Sequence, residues 1–153
     1  MTTLNQRLNI QTNIKLNRLY RQFEQLISEL NKRELPQDIL LSINQDIESL
    51  NKLSDTDKKL KKELQKKLSS IIALIEKKLK IVPKNHYRNT YLAIGMVFGI
   101  ALGIMATSIF GKPFSTGLNV GIGLPIGMVI GLAIGSRMDK KATEEGRQLD
   151  IEI

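Results

Sequence analysis

The sequence predicts an all-α protein in which a cytoplasmic helical bundle or coiled-coil region is followed by a two-helix transmembrane hairpin. All eleven glycines lie at or after position 95, and most of them are spaced four residues apart. Residues 1–88 are polar and free of glycine, whereas residues 89–136 carry a single charge, Lys112. In water such glycines would weaken a helix by about 1 kcal/mol each, but in lipid small residues at this spacing let helix backbones approach closely.

Two uncharged segments predict the hairpin. No residue is charged from position 89 to 111 or from 113 to 136, and each segment exceeds the roughly 20 residues that a helix needs to cross a bilayer. The linker GKPFST contains Gly, Lys and Pro, which favour a tight reversal. The predicted transmembrane spans are residues 91–110 and 117–136.

Nine glycines of the two spans are candidate helix-packing residues: Gly95, Gly99, Gly103, Gly117, Gly121, Gly123, Gly127, Gly131 and Gly135. The pairs Gly95–Gly135, Gly99–Gly131 and Gly103–Gly127 share one midpoint near the linker, so we expect each pair to lie at equal depth and to face each other. At about 100° per residue, the glycines of the first span cover about 80° of the helix surface and those of the second about 160°. This wider band predicts that the second span also contacts a helix from another protomer.

Three strongly polar side chains lie inside the predicted spans: Thr107, Ser108 and Asn119. One interpretation is that they hydrogen-bond across helices or to their own backbone. The alternative is a polar lining for a pore, although no ionisable residue lies at mid-depth to mark an ion path. Pro125 predicts a kink in the second span, where neighbouring groups would satisfy the freed carbonyl.

Basic residues flank the hairpin on the side that carries both chain termini. Residues 55–88 hold eleven basic and four acidic residues, so nearly all of the net charge of +8 lies just before the first span. The positive-inside bias predicts that both termini lie in the cytoplasm. The flanking residues are candidates for contact with anionic lipid headgroups: Lys77, Lys78, Lys80, Lys84, Arg88, Arg137, Lys140 and Lys141.

Three amphipathic segments precede the hairpin. Their apolar residues recur at three- and four-residue spacing: Leu16, Leu19, Phe23, Leu26 and Leu30; Ile39, Ile43, Ile47 and Leu50; and Leu60, Leu64, Leu68, Ile71, Ile75, Leu79 and Val82. Leu35-Pro36 separates the first two segments, and residues 54–57 offer the third a helix N-cap. Two arrangements are open: the helices fold back within one chain, or they assemble side by side between protomers. Because a core built from so few residues would be thin, sharing it between chains is at least as favourable.

The chain is therefore expected to have four parts. Residues 1–82 form a cytoplasmic helical, coiled-coil-like region, and residues 83–90 form a basic juxtamembrane linker. Residues 91–136 form the transmembrane hairpin, and residues 137–153 form a charged cytoplasmic tail. The lysines between Lys58 and Lys80 have three interpretations: a solvated face that fixes topology, a surface for anionic lipids, or a nucleic-acid site. Nucleic acid is the weakest of these, because the run lacks arginine clusters and interleaved aromatic residues.

The residues that enzymes and metal sites need are sparse. The sequence has no cysteine, and His86 is the single histidine, so neither a disulfide framework nor a metal site is predicted. Residues 116–123 read TGLNVGIG, which matches a dinucleotide-binding loop, but that loop requires a preceding strand and a following βαβ unit. We therefore expect no catalytic residues, no cofactor and no enzymatic activity.

The chain resembles a known family in three segments, which read LAIGMVFGIALGIM, GIGLPIGMVIGLAIGSRMDKK and KATEEGRQ. Over about residues 91–148, the chain resembles a group of small bacterial glycine-zipper membrane-hairpin proteins. The resemblance implies close packing of membrane helices and says little about activity, because the group is largely uncharacterised. Glycine-zipper proteins elsewhere include channels, pores and toxins, so the resemblance also favours a pore.

Two functions follow as expectations. The first is a self-associating inner-membrane protein, a homo-oligomer whose basic cytoplasmic module acts as a scaffold or docks a protein partner through residues 1–82. The second is an oligomeric pore or membrane-disrupting effector. The expected partners are anionic membrane lipids and other copies of the chain.

Overall fold

The computed structural model describes residues 1–5, 13–53, 57–110 and 116–152. The described residues form five helices: α1 (Ile14–Asn31), α2 (Gln37–Asn51), α3 (Asp57–Leu79), α4 (His86–Phe110) and α5 (Thr116–Glu144). Two short strands, β1 (Val82–Pro83) and β2 (Gln148–Leu149), pair in one two-stranded sheet. The predicted all-α class, with two apolar helices after a helical region, is confirmed.

Some predictions fall outside the described residues. The proposed N-cap at residues 54–57 and the linker GKPFST belong to this group, apart from the backbones of Asp57 and Thr116. The side chains of Thr107, Ser108 and Asn119, together with the surroundings of Gly117, also lie outside the described part. The two interpretations of the polar residues in the spans therefore stay predictions.

The chain divides into two compact units. Unit 1 consists of Met1–Lys84 together with Leu149–Ile153, and unit 2 consists of Asn85–Gln148. The chain therefore leaves unit 1 once, forms unit 2, and returns to unit 1 at its C-terminal end.

Unit 1 is built from the three amphipathic helices. In α1, Leu16, Phe23, Leu26 and Leu30 are at most 1% exposed, and Tyr20 is buried beside them where the spacing had indicated Leu19. The residues of the predicted apolar series in α2, and the first five of the series in α3, are buried in the same cluster: Ile39, Ile43, Ile47, Leu50, Leu60, Leu64, Leu68, Ile71 and Ile75. These side chains are buried within a single chain, which is the first of the two arrangements that the sequence left open.

Local signals mark the ends of these helices. The Asn13 side chain accepts a hydrogen bond from the Leu16 amide, which satisfies one of the free amides at the start of α1. Pro36 occupies the N-cap position of α2, where its missing N–H costs nothing. Lys80, just after α3, has a φ of 57°, so the left-handed backbone ends the helix before β1.

The end of the chain completes the core of unit 1. Leu149 is fully buried and Ile151 is 2% exposed, and both belong to the hydrophobic cluster of the three helices. The Lys84 amide donates a 2.9 Å hydrogen bond to the Ile151 carbonyl, and the Gln22 side chain donates to the Glu152 carbonyl at 3.1 Å. The segment from position 149, which the sequence suggested was part of a charged tail, is therefore a structural part of the bundle.

Unit 2 is an antiparallel hairpin of α4 and α5. Both helices are longer than the predicted spans, since α4 starts at His86 and α5 continues to Glu144. The stretches His86–Ala106 and Val120–Glu144 are long and apolar enough to cross a membrane. Among the described residues, all but two of the exposed large hydrophobic side chains lie on this hairpin. A continuous apolar surface of this kind is costly in water and suits a hydrocarbon environment.

Candidate functional site

The contact between α4 and α5 is made of glycine backbones. A β-carbon added at Gly127 would lie 2.8 Å from Gly99 Cα, and one added at Gly135 would lie 2.6 Å from Arg88 Cα. Gly95 and Gly99 are equally crowded by Gly127 and Gly123. Since the neighbouring atoms are backbone atoms, no side chain can move aside to make room. We call this contact the glycine interface; it comprises Gly95, Gly99, Gly103, Gly123, Gly127, Gly131 and Gly135.

The register of the glycine interface differs from the predicted one. Gly95 lies against Gly127 and Gly131, whereas the spacing had paired it with Gly135. The expected pairs were wrong by one to two helical turns. A stripe repeated every four residues superimposes on itself when one helix slides by a turn, so the repeat alone cannot select the register. The positions of the helix ends are consistent with the observed register. In sequence numbering, the end of α4 at Phe110 and the start of α5 at Thr116 lie equally far from the position that is halfway between Gly95 and Gly131.

The nine candidate glycines do not all lie in this interface. Gly121 is exposed, and a β-carbon added there meets nothing within 4 Å. It lies four residues before Pro125, which has no N–H to donate to the Gly121 carbonyl. At Gly121, therefore, α4 does not cover the surface of α5, and position 125 supplies no N–H to the Gly121 carbonyl.

Asp139 joins the two helices at the base of the hairpin. Its carboxylate accepts hydrogen bonds from the backbone amides of Tyr87 at 3.1 Å and Arg88 at 2.9 Å. These are first-turn amides of α4, which have no partner within their own helix, and α4 has no acidic residue in that turn. A carboxylate there also complements the positive end of the helix dipole. Asp139 is 9% exposed, so it acts as an N-cap supplied by the neighbouring helix.

Asp139 was not among the residues singled out from the sequence. The available signal was a lone acid beside Lys140 and Lys141, just after the apolar part of α5. Nothing local shows that its partner is a helix start more than fifty residues earlier.

A second contact at this end of the hairpin involves Arg147, which donates a hydrogen bond to the Glu145 carboxylate and lowers the pKa of that carboxyl.

The predicted lipid-contact residues fall into two groups. Several have acidic neighbours: Lys84 lies 3.4 Å from Asp150, Lys140 3.9 Å from Glu144, and Lys141 3.8 Å from Glu145. These exposed pairs contribute little to stability. Lys77, Lys78 and Arg137 are exposed and form no ion pair with a described residue. The Arg88 amide is bound by Asp139, and the Lys80 amide donates to the Glu76 carbonyl.

Histidine, cysteine, aspartate and glutamate are the side chains that most often bind metals or act in catalysis. Within the described ranges, no three His, Cys, Asp or Glu side chains are grouped so as to hold a metal ion. His86 packs edge-on against the Tyr87 ring, with 5.1 Å between ring centroids. The geometry that stands out is therefore the glycine interface and its capped base.

The comparison with known proteins bears on this hairpin. Residues 83–141 match the glycine zipper membrane protein family. The match covers α4 and most of α5, and it confirms the resemblance inferred from the sequence over this part of the chain. Neither a curated protein nor a solved structure matches the chain. The protein is thus a membrane protein with two candidate membrane-spanning helices, and the family matched by its hairpin is not an enzyme family.

Proposed function

We propose that this chain is a self-associating protein of the bacterial inner membrane whose hairpin anchors a basic helical module in the cytoplasm. The module, unit 1, serves as a scaffold or docks a protein partner. The observation that carries the proposal is the glycine interface. The glycine faces of α4 and α5 pack against each other within one chain, so the hairpin can serve as an anchor without a second copy.

The chain's path supports the proposed orientation. Both ends of unit 2 connect to unit 1, since Lys84 precedes it and Leu149 follows it. Two spans joined in this way return the chain to the side from which it left. The basic residues on that side outnumber the single Lys112 of the linker, which favours the cytoplasm for both termini.

Self-association is supported by the open surface at Gly121. An approaching helix meets no side chain there, and the carbonyl released by Pro125 favours a neighbour that can donate a hydrogen bond. Because this surface lies outside the glycine interface, self-association and hairpin formation depend on different residues. We therefore assign the contact between protomers to the Gly121 side of α5.

The same open surface favours the second candidate function, an oligomeric pore or membrane-disrupting effector. A ring of hairpins would form if the Gly121 face of each chain met a different face of the next chain. However, the side chains exposed on the described part of the hairpin are mostly large and apolar, such as Val97, Phe98 and Val129. Such side chains suit contact with lipid and not with a water-filled channel.

Dye retention by proteoliposomes separates the two functions. The purified chain is reconstituted at increasing density into vesicles that contain a self-quenched dye, with empty vesicles prepared in parallel. An anchor predicts that dye retention equals that of empty vesicles at every density. Leakage that rises steeply with protein density would overturn the anchor and establish the pore.

A further inference from the structure

One face of α3 carries a band of exposed lysines: Lys58, Lys59, Lys62, Lys66 and Lys77. At 100° per residue these five positions lie within about 100° of one another around the helix. The buried residues of α3, from Leu60 to Ile75, occupy the opposite side. We call this face the lysine band.

The lysine band has no ion-pair partner among the side chains that the structure describes. Among the described residues, none of the five lysines forms an ion pair, whereas Lys67 on another side of α3 pairs with Asp46 at 2.5 Å. Lys58 and Lys62, like Lys62 and Lys66, are four residues apart, so their like charges repel and destabilise the helix. An anionic surface lying along the band would relieve this repulsion.

Membrane topology does not account for the first part of the band. The positive-inside bias acts through basic residues within about 15–20 residues of a span. Lys58, Lys59 and Lys62 lie farther than this from His86, the first residue of α4. Orientation of the hairpin therefore does not account for the charge at these three positions.

The bilayer is the polyanion best placed to meet the band. The chain passes from the end of α3 to the apolar hairpin within residues 80–85, so the module is tethered at the membrane surface. The basic residues of the band are all lysines, which act as point charges and do not require the paired acceptors that arginine recognises. One acidic residue, Glu76, lies at the same helical angle as Lys58. Between the two lysine groups of the band lie the small exposed residues Ser69 and Ala73, which leave the face flat.

We propose that the lysine band binds the headgroups of anionic phospholipids, an inference that rests on the proposed membrane anchoring. The band adds a second attachment to the membrane beside the hairpin. Apart from Lys77, which belongs to both sets, the band differs from the flanking residues singled out in the sequence, several of which lie beside acidic side chains.

Lysine acetylation of the full chain in nanodiscs tests this proposal. One disc preparation contains phosphatidylcholine alone, and the other is rich in phosphatidylglycerol. Acetylation rates at single lysines are measured by mass spectrometry, with exposed Lys15 and Lys52, on α1 and after α2, as internal controls. Contact with an anionic surface stabilises the charged amine, so we expect acetylation of Lys59, Lys62 and Lys66 to slow by about fivefold in the anionic discs. Salt at about 1 M, where the Debye length is about 3 Å, should restore the rates.

Three results would overturn the proposal. Equal rates in the two discs would show that the band does not bind headgroups. Slow acetylation of the band in phosphatidylcholine discs would show that protein covers it, as a docked partner or second copy would. Equal slowing of Lys15 and Lys52 would show only the diffuse field of the disc. Failure of the membrane anchoring itself is recognised separately, because the chain would then not copurify with either disc.

Discussion

The glycine interface predicts that replacement by leucine has different effects at two glycines of the same helix. Gly127→Leu places a β-carbon 2.8 Å from Gly99 Cα and 2.9 Å from Gly99 N. Gly121→Leu, six residues earlier on α5, meets nothing within 4 Å and is the matched control. We expect the first change to disrupt the hairpin and the second to leave it intact.

The magnitude follows from the distances. Carbon atoms in contact prefer a separation of about 3.5–4.0 Å, so α4 and α5 must move apart by about 1 Å at Gly127 even for the β-carbon alone. A gap of that size forfeits a quarter to a half of the dispersion energy at each neighbouring contact. Overpacking that forces backbone shifts of this kind costs about 1–3 kcal/mol, and the remaining atoms of leucine raise the cost. At Gly121 these losses do not arise.

Spin-label distances measure the effect directly. The sequence contains no cysteine, so cysteines introduced at Val97 and Val129 can be labelled selectively. Both side chains point away from the interface, with exposures of 68% and 66%. Gly127→Leu should lengthen and broaden the distance distribution between the labels in nanodiscs, while Gly121→Leu should leave it unchanged. An unchanged distribution with Gly127→Leu, or equal broadening with both variants, would refute the reasoning.

Further predictions concern the base of the hairpin, the C-terminal strand and the open face of α5. Asp139→Asn removes the charge at the start of α4 and should weaken the cap by about 1 kcal/mol, seen as faster amide exchange at Tyr87 and Arg88; unchanged exchange would contradict the capping role. Leu149→Ala should lower the free energy of unfolding of unit 1 by about 2–5 kcal/mol in a urea titration, whereas Glu152→Ala, at an exposed position, should leave it nearly unchanged; similar effects would mean that the strand is not part of the core. Gly121→Leu should reduce the mass of the assembly in nanodiscs without altering the spin-label distance, and an unaltered mass would remove Gly121 from the contact between protomers.

Sequence periodicity was sufficient to predict the elements whose determinants are local. The alternation of three and four residues identified the buried side of α2, and two uncharged segments identified the hairpin. In each case a single helix face carries the information, because apolar residues that share a face are buried together. The break at Pro36 is equally local. The end of α3 was not predicted correctly, because the predicted apolar series runs to Val82, whereas α3 ends at Leu79 and Val82 lies in β1.

Features that depend on distant parts of the chain were not predictable in this way. Leu149 and Ile151 lie among charged residues and show no periodicity over so short a segment, yet they belong to the same hydrophobic cluster as the buried residues of the three helices. The partner of Asp139 is likewise set by the return of α5 to the start of α4. The glycine register was ambiguous for a different reason, since a regular repeat permits several alignments of equal quality.

The distinction between the two uses of glycine changes how mutations should be interpreted. If Gly99 and Gly127 served assembly between chains, replacing either by leucine would break that assembly. In the structure both residues pack within the hairpin, so their replacement perturbs the fold of each chain before any contact between chains. Loss of oligomers in such variants would therefore not identify an interface, whereas Gly121 offers a test free of this ambiguity.

The mass of the purified complex in nanodiscs, with the lipid contribution subtracted, tests the central claim most directly. One open face at Gly121 on each chain favours a symmetric pair, so the account predicts a dimer of anchored modules. A large closed ring would contradict the account and make a pore the function to pursue, and a monomer would contradict self-association.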